Sequence, residues 1–363
     1  MPAKSPISNL KSQTTRDIRW GVLGSGGIAR RRTIPEGILP ARNARLVAVF
    51  DVNAAANAEV AREFGATATN NVEELLEADL EAVYIATPPN VHREQVLACA
   101  RARKHVLCEK PLGLTVSDAE AMIAGCRQAG VRLGAAFMMR FHAQHQAALG
   151  LIRDGRLGQP VFARAQLSCW YPPIAGAWRQ DPAQGGGGSL MDMGGHCMDL
   201  LEMFFGPVQA VSCFTSRTVH DYASEDGAVV SLRFANGALG VVDTFFCMPD
   251  TASQNRLELY GSLGSILAQG TIGQSPAGEM TTFLQSDTRA YDAQQGRGTN
   301  GGTAIAPAPL NTYRAEIEEF SQAILDNREP SNSAQLGLQS QRVLSACYES
   351  ARIGRLVEVG AKP

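Results

Sequence analysis

The stretch from residue 17 to residue 29, DIRWGVLGSGGIA, constrains the fold most, because a short apolar strand runs directly into a glycine-rich turn. In a βαβ unit, Gly24 would allow the tight turn and Gly26 would let the backbone approach a pyrophosphate. The small Ala29 would let the following helix pack closely on the strand. Glycine turns also occur for purely structural reasons, so the prediction of a dinucleotide site needs a second observation.

The second observation is an acidic residue at the end of the next predicted strand. Residues 46–50 form an apolar run that stops at Asp51, close to the distance at which dinucleotide folds place an acid on the adenosine ribose. A carboxylate accepts hydrogen bonds from ribose hydroxyls and repels a 2′-phosphate, so the sequence predicts NAD in preference to NADP. Arg30, Arg31 and Arg32 argue slightly for NADP, but pairing with acids on the helix surface is the favoured interpretation.

Composition favours a small-molecule partner. The chain has 363 residues, 45% hydrophobic and 19% charged, which suits a globular protein of two domains. The formal net charge is −2 and there is no basic stripe, so neither nucleic acid nor an anionic membrane is expected as the main partner. No stretch is long and apolar enough to span a bilayer.

The amino terminus and the cysteines indicate the compartment. Residues 1–16 are polar, lack the apolar run of a signal peptide, and are predicted to be a disordered tail. The eight cysteines are scattered without CxxC spacing, which favours reduced thiols over disulfides or a zinc site. The expected location is the cytoplasm.

Strands and helices alternate through residues 17–140, which predicts a dinucleotide-binding domain with a doubly wound parallel sheet. Ligands of such sheets bind beyond the carboxyl ends of the strands. Gly24, Asp51, Thr87 and Lys110 all fall at predicted strand ends. The sequence therefore predicts that these four residues face one crevice.

The pattern changes in residues 141–363, which predict a second α/β domain with an open, largely antiparallel sheet. A helix at 190–205 is followed by several strand-like runs without intervening helices. Asn236-Gly237 between two runs is a hairpin signal, and residues 285–304 are predicted to be a loop. One face of an open sheet needs a cover, so a homodimer or homotetramer through this sheet is expected. The alternative is a monomer with a polar outer face.

Three residues carry the predicted chemistry. Asp192 and His196 are four positions apart on the predicted helix, so both project from one face. With Lys110 they supply what hydride transfer at a carbinol carbon requires: an acid/base, a positive group, and a carboxylate that orients the base. We assign His196 as general base in oxidation, Lys110 as electrostatic and proton-relay partner, and Asp192 as the orienting and hydroxyl-accepting group. Lys110 and His196 could exchange roles.

Each of these residues also has a plainer interpretation. Asp192 would suit the first turn of any helix, His196 could simply be packed, and Lys110 could be a solvated loop charge. The DxxxH spacing resembles half a metal site, but no second histidine or thiolate pair completes it in the sequence, so no metal is expected.

Four motifs together resemble one enzyme family. They are the glycine turn at 24–29, ATPPNVH at 86–92, CEKP at 108–111 and GGSLMDMGGHCMD at 187–199. The chain is similar in these motifs to the glucose-fructose oxidoreductase, inositol dehydrogenase and MocA family over about residues 17–354. The resemblance implies a Rossmann domain, a C-terminal open-sheet domain, and oxidation or reduction of a secondary hydroxyl or anomeric carbon of sugars, cyclitols or related compounds with NAD or NADP.

The resemblance also implies site residues by position. It makes Lys110, Asp192 and His196 the catalytic set, with Arg140 and Trp178 as further substrate contacts and a cis bond before Pro111. An asparagine that the family often has near Arg140 is missing here, so the resemblance does not define the substrate contacts around Arg140. The expected cofactor site comprises Gly24, Gly26, Gly27, Ile28, Asp51, Thr87, Pro88, Asn90, His92, Glu109 and Lys110.

These observations leave three candidate functions. The first is an NAD-dependent dehydrogenase of a sugar, glycoside or cyclitol. The second is an enzyme that keeps its nicotinamide bound and uses it to exchange two substrates or to break a glycosidic bond. The third is a nucleotide-binding sensor without turnover, against which an intact Lys110, Asp192 and His196 set argues.

Overall fold

Two β-sheets organise the protein. The computed structural model describes residues 16–285 and 301–360, and the predicted tail lies outside them except for its last residue. A six-stranded sheet and a nine-stranded sheet are each flanked by helices, as an α/β chain requires. Among the described residues, no helix has the length and apolarity needed to cross a membrane.

The first sheet is parallel throughout, with strand order β3-β2-β1-β4-β5-β6, which confirms the predicted doubly wound sheet. Every side chain of β4 and β6 is buried, as expected where helices cover both faces of a parallel sheet. The strands are β1 (Ile18–Leu23), β2 (Ala44–Phe50), β3 (Thr67–Ala68), β4 (Ala82–Ile85), β5 (His105–Glu109) and β6 (Leu133–Ala136). The helices are Ala29–Ile38, Ala54–Phe64, Val72–Glu77, Pro89–Arg101 and Val116–Ala129.

Local capping starts two of these helices close to the strand ends. The Asn53 side chain accepts a hydrogen bond from the Ala56 N–H at 3.0 Å, so the chain turns into a helix two residues after Asp51. Thr115 and Asp118 cap each other's backbone N–H groups at the start of helix Val116–Ala129. The first sheet therefore presents short strand-to-helix turns at the edge where ligands bind.

The second sheet has the order β14-β13-β12-β11-β7-β10-β9-β8-β15. Among the strands that the structure describes, only β7 and β10 pair in parallel, so the predicted, largely antiparallel sheet is confirmed. Gly237, at φ +87°, makes the predicted hairpin turn between β9 and β10. The strands are β7 (Pro160–Ser168), β8 (Val208–Ser216), β9 (Gly227–Phe234), β10 (Leu239–Phe245), β11 (Arg256–Gly261), β12 (Gly264–Gln269), β13 (Glu279–Leu284), β14 (Thr303–Ala304) and β15 (Val357–Glu358).

The last three strands are not predicted by the sequence pattern. β13 extends the sheet by pairing with β12, and β14 pairs with β13 through residues 303–304, inside the predicted loop. The prediction of a loop is therefore wrong at that end, while residues 286–300 lie outside the described part of the chain.

A helix near the carboxyl terminus returns to the first sheet. Helix Thr312–Leu325 belongs to the predicted second domain, yet its Phe320 packs on Trp20 of β1 with 5.6 Å between ring centroids. The indole N–H of Trp20 donates to the Ser321 hydroxyl at 3.1 Å. This helix therefore covers one face of the first sheet. The other helices of this half are Ala143–Arg153, Pro182–Gly185, Leu190–Gly194, Gly195–Phe205 and Ala334–Ile353.

Candidate active site

The glycine turn has the geometry that a dinucleotide requires. Gly24 has φ +79°, and a Cβ there would lie 2.8 Å from the backbone of Ala86 and Thr87. Gly27 has φ +50° and open space where a Cβ would be. The first glycine is thus required by the close approach of β4, and Gly27 leaves room for a pyrophosphate beside the helix start. These residues fit a dinucleotide.

Asp51 lies beside this turn. Its Oδ2 accepts the Gly26 N–H at 3.0 Å and its Oδ1 accepts the Asn53 N–H at 2.9 Å. The backbone therefore fixes the carboxylate at the end of β2, the position from which it can meet a ribose.

The neighbouring arginines behave mainly as a solvated helix surface. Arg30 pairs with Glu59 and Glu63, and Arg32 pairs with Glu36. Two of the three arginines thus pair with acids as interpreted from the sequence, and Arg31 is exposed.

A cavity of about 430 Å³ lies between the two halves of the chain. The first sheet reaches it through the residues after β4 and β5, and the second through the residues before helix Gly195–Phe205 and after β10. Predicted site residues that line it are Ile28, Thr87, Glu109, Lys110, Trp178, Asp192 and His196.

The helix that carries Asp192 and His196 is not continuous. Residues 190–194 form a π-helical segment that leads into the α-helix Gly195–Phe205, where the sequence predicts one helix. Consecutive glycines at 194 and 195 lower the cost of this change. At its start, Glu225 Oε1 accepts the N–H groups of Gly188 and Leu190 at 2.9 and 3.0 Å. A half-buried carboxylate thus anchors the segment that holds Asp192.

Lys110 and Asp192 meet across the cavity although 82 residues separate them. The Lys110 Nζ donates to Oδ1 and to the main-chain oxygen of Asp192, both at 2.7 Å. The Arg179 Nε lies 2.9 Å from Asp192 Oδ2. Although burial opposes ionisation, Arg179 and Lys110 hold the pKa of Asp192 well below its usual range. Asp192 is therefore a carboxylate held between two cations.

This arrangement corrects the expected contact between Asp192 and His196. The carboxylate faces Lys110 and Arg179 and makes no hydrogen bond to His196 within the described residues. Asp192 therefore positions the two cations. The four-residue spacing places Asp192 and His196 on the same side of the helix. The carboxylate nevertheless binds the two cations, because a cation is a stronger hydrogen-bond partner for it than a neutral imidazole.

His196 lines the cavity with a ring that is neutral at pH 7. Burial, and after it the charge of Lys110, lowers the pKa of His196 well below its ordinary value of 6.5. Its Nδ1 is buried and has no hydrogen-bond partner among the described residues, and Phe137 packs on the ring at 6.2 Å, edge to face. Nε2 is therefore the nitrogen left to meet a substrate.

The residues expected around the nicotinamide separate into two groups. Thr87 and Glu109 line the cavity, and the Tyr84 hydroxyl donates to Glu109. Burial raises the pKa of Glu109, against the opposing effect of Lys110. His92 is fully buried instead, with its ring nitrogens 3.0 Å from the Pro111 oxygen and 2.8 Å from the Thr87 oxygen. It supports the two turns and does not line the cavity.

Two further residues expected around the nicotinamide, Pro88 and Asn90, do not line this cavity. Asn90 is exposed on the first turn of helix Pro89–Arg101, and Pro88 precedes that helix and is half-buried. The peptide bond between Lys110 and Pro111 is cis, as the resemblance implied.

Of the two further substrate contacts that the resemblance implies, one lines the cavity and the other does not. Trp178 lines the cavity, half-buried, with the Arg179 guanidinium 4.1 Å above its ring. Arg140 does not line the cavity, because its Nε lies 2.8 Å from both carboxylate oxygens of the buried Asp199. Arg140 thus ties residues 138–141 to helix Gly195–Phe205.

Several polar residues of the cavity carry no signal in the sequence pattern, among them Arg179, Asp250 and Asn255. Arg179 lies in the turn Trp178–Gln180, and Asp250 and Asn255 lie in the connection from β10 to β11. The connection shows no periodicity or motif, so only the three-dimensional structure reveals its contribution. Within the described residues, no cluster of histidine, cysteine or acidic side chains could hold a metal.

The fold and cavity together define a nicotinamide-dependent oxidoreductase: a dinucleotide turn opens beside a cavity in which a lysine, a carboxylate and a neutral histidine meet. The family models agree with this class. Residues 18–137 match the model described as an oxidoreductase family with NAD-binding Rossmann fold, and residues 145–267 match the GFO/IDH/MocA C-terminal domain. The chain belongs to the GFO/IDH/MocA family, which confirms the resemblance seen in its motifs.

Curated relatives and solved structures are similar over almost the whole chain. A 1,5-anhydro-D-fructose reductase of Ensifer adhaerens is 32% identical over 345 residues, which cover 94% of this chain and 98% of the relative. A D-xylose 1-dehydrogenase (NADP(+)) of Haloferax volcanii is 31% identical, with 94% and 99% covered. The structure of an aldose-aldose oxidoreductase from Caulobacter crescentus, complexed with glycerol, aligns with a TM-score of 0.84 at 28% identity, covering 94% of this chain and 100% of that one.

Proposed function

We propose that the protein transfers hydride between a nicotinamide cofactor, preferentially NAD, and a secondary hydroxyl or anomeric carbon of a sugar, glycoside or cyclitol. The observation that carries this proposal is that Lys110, Asp192 and His196 all line the cavity beside the dinucleotide turn, where Lys110 and Asp192 form an ion pair. The names of the relatives support the substrate class, since they include an anhydro-sugar reductase and a xylose dehydrogenase.

Each of the three residues has a distinct task in the proposed reaction. The cofactor supplies a hydride acceptor for the carbinol carbon. His196, neutral at pH 7, takes the hydroxyl proton at Nε2. Lys110 forms an ion pair with Asp192 and donates to the developing alkoxide. Asp192 holds Lys110 and Arg179 in place.

A nicotinamide absorbance assay tests the proposal. The purified protein is mixed with NAD or NADP and with free sugars, glycosides and cyclitols, and the reverse reaction is run with 1,5-anhydro-D-fructose. We expect formation or consumption of reduced cofactor with one class of compound. Absence of any signal in both directions, despite measurable cofactor binding, would contradict a freely exchanging dehydrogenase.

A bound-cofactor mechanism is the second candidate. The similarity to an aldose-aldose oxidoreductase favours it, because that name describes a reaction between two aldoses. In this case NAD(H) stays on the protein through purification, and oxidation of one sugar is observed only together with reduction of another. Absorbance of the purified protein near 340 nm after addition of sugar distinguishes the two candidates.

The proposed preference for NAD rests on Asp51. Replacing it with Asn removes the charge near the ribose and one of two acceptor oxygens for the backbone. We expect the ratio of the dissociation constants for NADP and NAD to fall about tenfold or more, because the repulsion of a 2′-phosphate is lost. Fluorescence titration with both reduced cofactors measures this. Asp79→Asn, at an exposed ion pair with Arg19, is the matched control, and tighter binding of NADP by the wild type would refute the preference.

We also propose a homodimer or homotetramer formed through the outer face of the second sheet. Phe214 and Val229 are paired across β8 and β9 and are 75% and 40% exposed, and burial of such an apolar patch against a second copy of the chain favours association. Light scattering is expected to give a multiple of 38.7 kDa. Val229→Arg should reduce the mass to one chain, while Val219→Arg, exposed in the loop after β8, should not. A wild-type mass of one chain would end this proposal.

The eight cysteines support a reducing compartment. All eight lie in the described part of the chain, and none forms a disulfide. Burial raises the pKa of the Cys126 thiol to about 12, and a protonated thiol is a poor nucleophile. We therefore propose a cytoplasmic enzyme.

A further inference from the structure

Asn255 presents an unused amide to the cavity. It follows β10 and precedes β11, in the left-handed region at φ +46°, and lines the cavity. Its Oδ1 accepts the Ser168 N–H at 3.1 Å and the Ser253 hydroxyl at 2.8 Å. The Ser253 hydroxyl has one hydrogen and also lies 2.9 Å from the Ser168 main-chain oxygen, so the Ser168 N–H is the donor that fixes the orientation of the amide. Its Nδ2 then donates no hydrogen bond to any described residue, so two N–H donors remain for a ligand.

Asp250 brings an acceptor to the same connection. Its Oδ1 accepts the Trp170 N–H at 3.0 Å, and no described cation pairs with the carboxylate. A hydroxyl group both donates and accepts, so a donor amide and an acceptor carboxylate that line the same cavity supply both partners that a hydroxyl needs. Neither residue belongs to the Lys110, Asp192 and His196 set.

The charges of the cavity indicate what carries that hydroxyl. The cations that line it in the described part of the chain are Lys110 and Arg179, and both are already paired with Asp192. Asp250 and Glu109 add acidic groups without adding a cation. A carboxylate or phosphate on the substrate would therefore lose its hydration without finding a free positive partner.

We infer that Asp250 and Asn255 form a subsite for a hydroxyl remote from the reacting carbon, and that the substrate is an uncharged polyhydroxy compound and not a sugar acid or a sugar phosphate. The inference rests on the proposed function and adds to it the residues that select the substrate. In this proposal the reacting carbon binds at Lys110 and His196, and the connection from β10 to β11 binds another hydroxyl of the same molecule.

The first test is Asn255→Asp. The substitution keeps the Oδ1 acceptor and suits the left-handed backbone, since Asp also tolerates positive φ, but it replaces the free N–H donors by an oxygen. For the best neutral sugar we expect KM to rise about tenfold or more with kcat within about threefold, because binding and not chemistry is affected. Asn327→Asp is a matched control, since Asn327 has φ +51° and lies outside the cavity; its KM should not change.

Asp250→Asn tests the acceptor. Asn keeps an oxygen for the Trp170 N–H and removes the charge, so KM for the neutral sugar should rise, and discrimination against charged sugars should weaken. Thermal unfolding of each variant checks that the fold is kept. Unchanged KM in both cavity variants, with normal turnover, would overturn the subsite while leaving the proposed function intact.

A binding experiment separates this inference from the proposed function. Calorimetric titration of the enzyme with bound NADH uses D-glucose, D-xylose and myo-inositol as neutral probes, and D-glucuronate and D-glucose 6-phosphate as charged ones. We expect at least one neutral probe to bind at least tenfold more tightly than both charged probes, and Asn255→Asp to abolish that advantage. Tighter binding of a charged probe, or binding of none, would overturn the inference. Loss of turnover with all sugars would refute the proposed function, and the titration would still decide the subsite.

Discussion

Lys110→Met is expected to lower kcat for hydride transfer by about 10²- to 10⁴-fold, the range for loss of a group that stabilises or transfers charge at the reacting oxygen. The thioether keeps most of the packing volume but removes both 2.7 Å hydrogen bonds to Asp192. Asp192 then keeps Arg179 as its described cationic partner. The cavity would therefore lose the donor for the alkoxide and would gain unbalanced negative charge.

Steady-state kinetics in both directions measure this effect, and cofactor affinity shows whether the site is otherwise intact. Lys104→Met is the matched control, because the Lys104 Nζ also donates to two main-chain oxygens but lies on the opposite end of β5. Lys104→Met should lower the free energy of unfolding and leave kcat within about twofold of the wild-type value. Unchanged kcat in Lys110→Met would remove Lys110 from the reaction.

The sequence predicts the first half of the molecule well because its signals are local. Gly24 and Asp51 mark the ends of β1 and β2, and each is fixed by short-range backbone geometry that the glycine turn and the strand run already encode. The rule that ligands bind beyond the carboxyl ends of parallel strands then places Lys110 in the same crevice. The four-residue spacing of Asp192 and His196 then predicts that both residues line the cavity from the second half of the chain.

The partners of these residues could not be predicted, because they depend on tertiary contacts. Arg179 comes from a single turn, Trp178–Gln180, which has no periodicity, and it replaces His196 as the partner of Asp192. Arg140 is drawn away from the cavity by the buried Asp199. Burial decides both cases: a buried carboxylate needs a close cation, and the sequence does not show which carboxylates are buried.

Short strands at the sheet edges were missed for a related reason. β14 and β15 have two residues each, too few to show a period of two, and they exist only because β13 and β8 offer free edges. The same limit applies to Asp250 and Asn255, which follow β10 without any motif.

His196→Gln is expected to lower kcat for oxidation by about 10²- to 10⁴-fold at pH 7.5 and to change the shape of the pH profile. Because the pKa of His196 is lowered below 6.5 by burial and by Lys110, the wild-type ring stays unprotonated as the pH falls from 8 to 6.5. The wild-type kcat/KM for oxidation should therefore lose its histidine-dependent activity only below pH 6.5. Glutamine accepts no proton, so the residual activity of the variant should lack this acidic limb.

The free energy of unfolding, like kcat/KM, should fall as the pH drops. The unfolded chain binds a proton at histidine near pH 6.5 more readily than the folded chain does, so folding stability falls as the pH drops below 6.5. His105→Gln is the matched control, since burial, and after it Arg132, also lowers the pKa of His105, which does not line the cavity. Both variants should lose less stability in acid than the wild type, measured by thermal unfolding at several pH values. Only His196→Gln should remove the acidic limb of kcat/KM; retention of that limb would assign the base to another residue, with Lys110 the next to test.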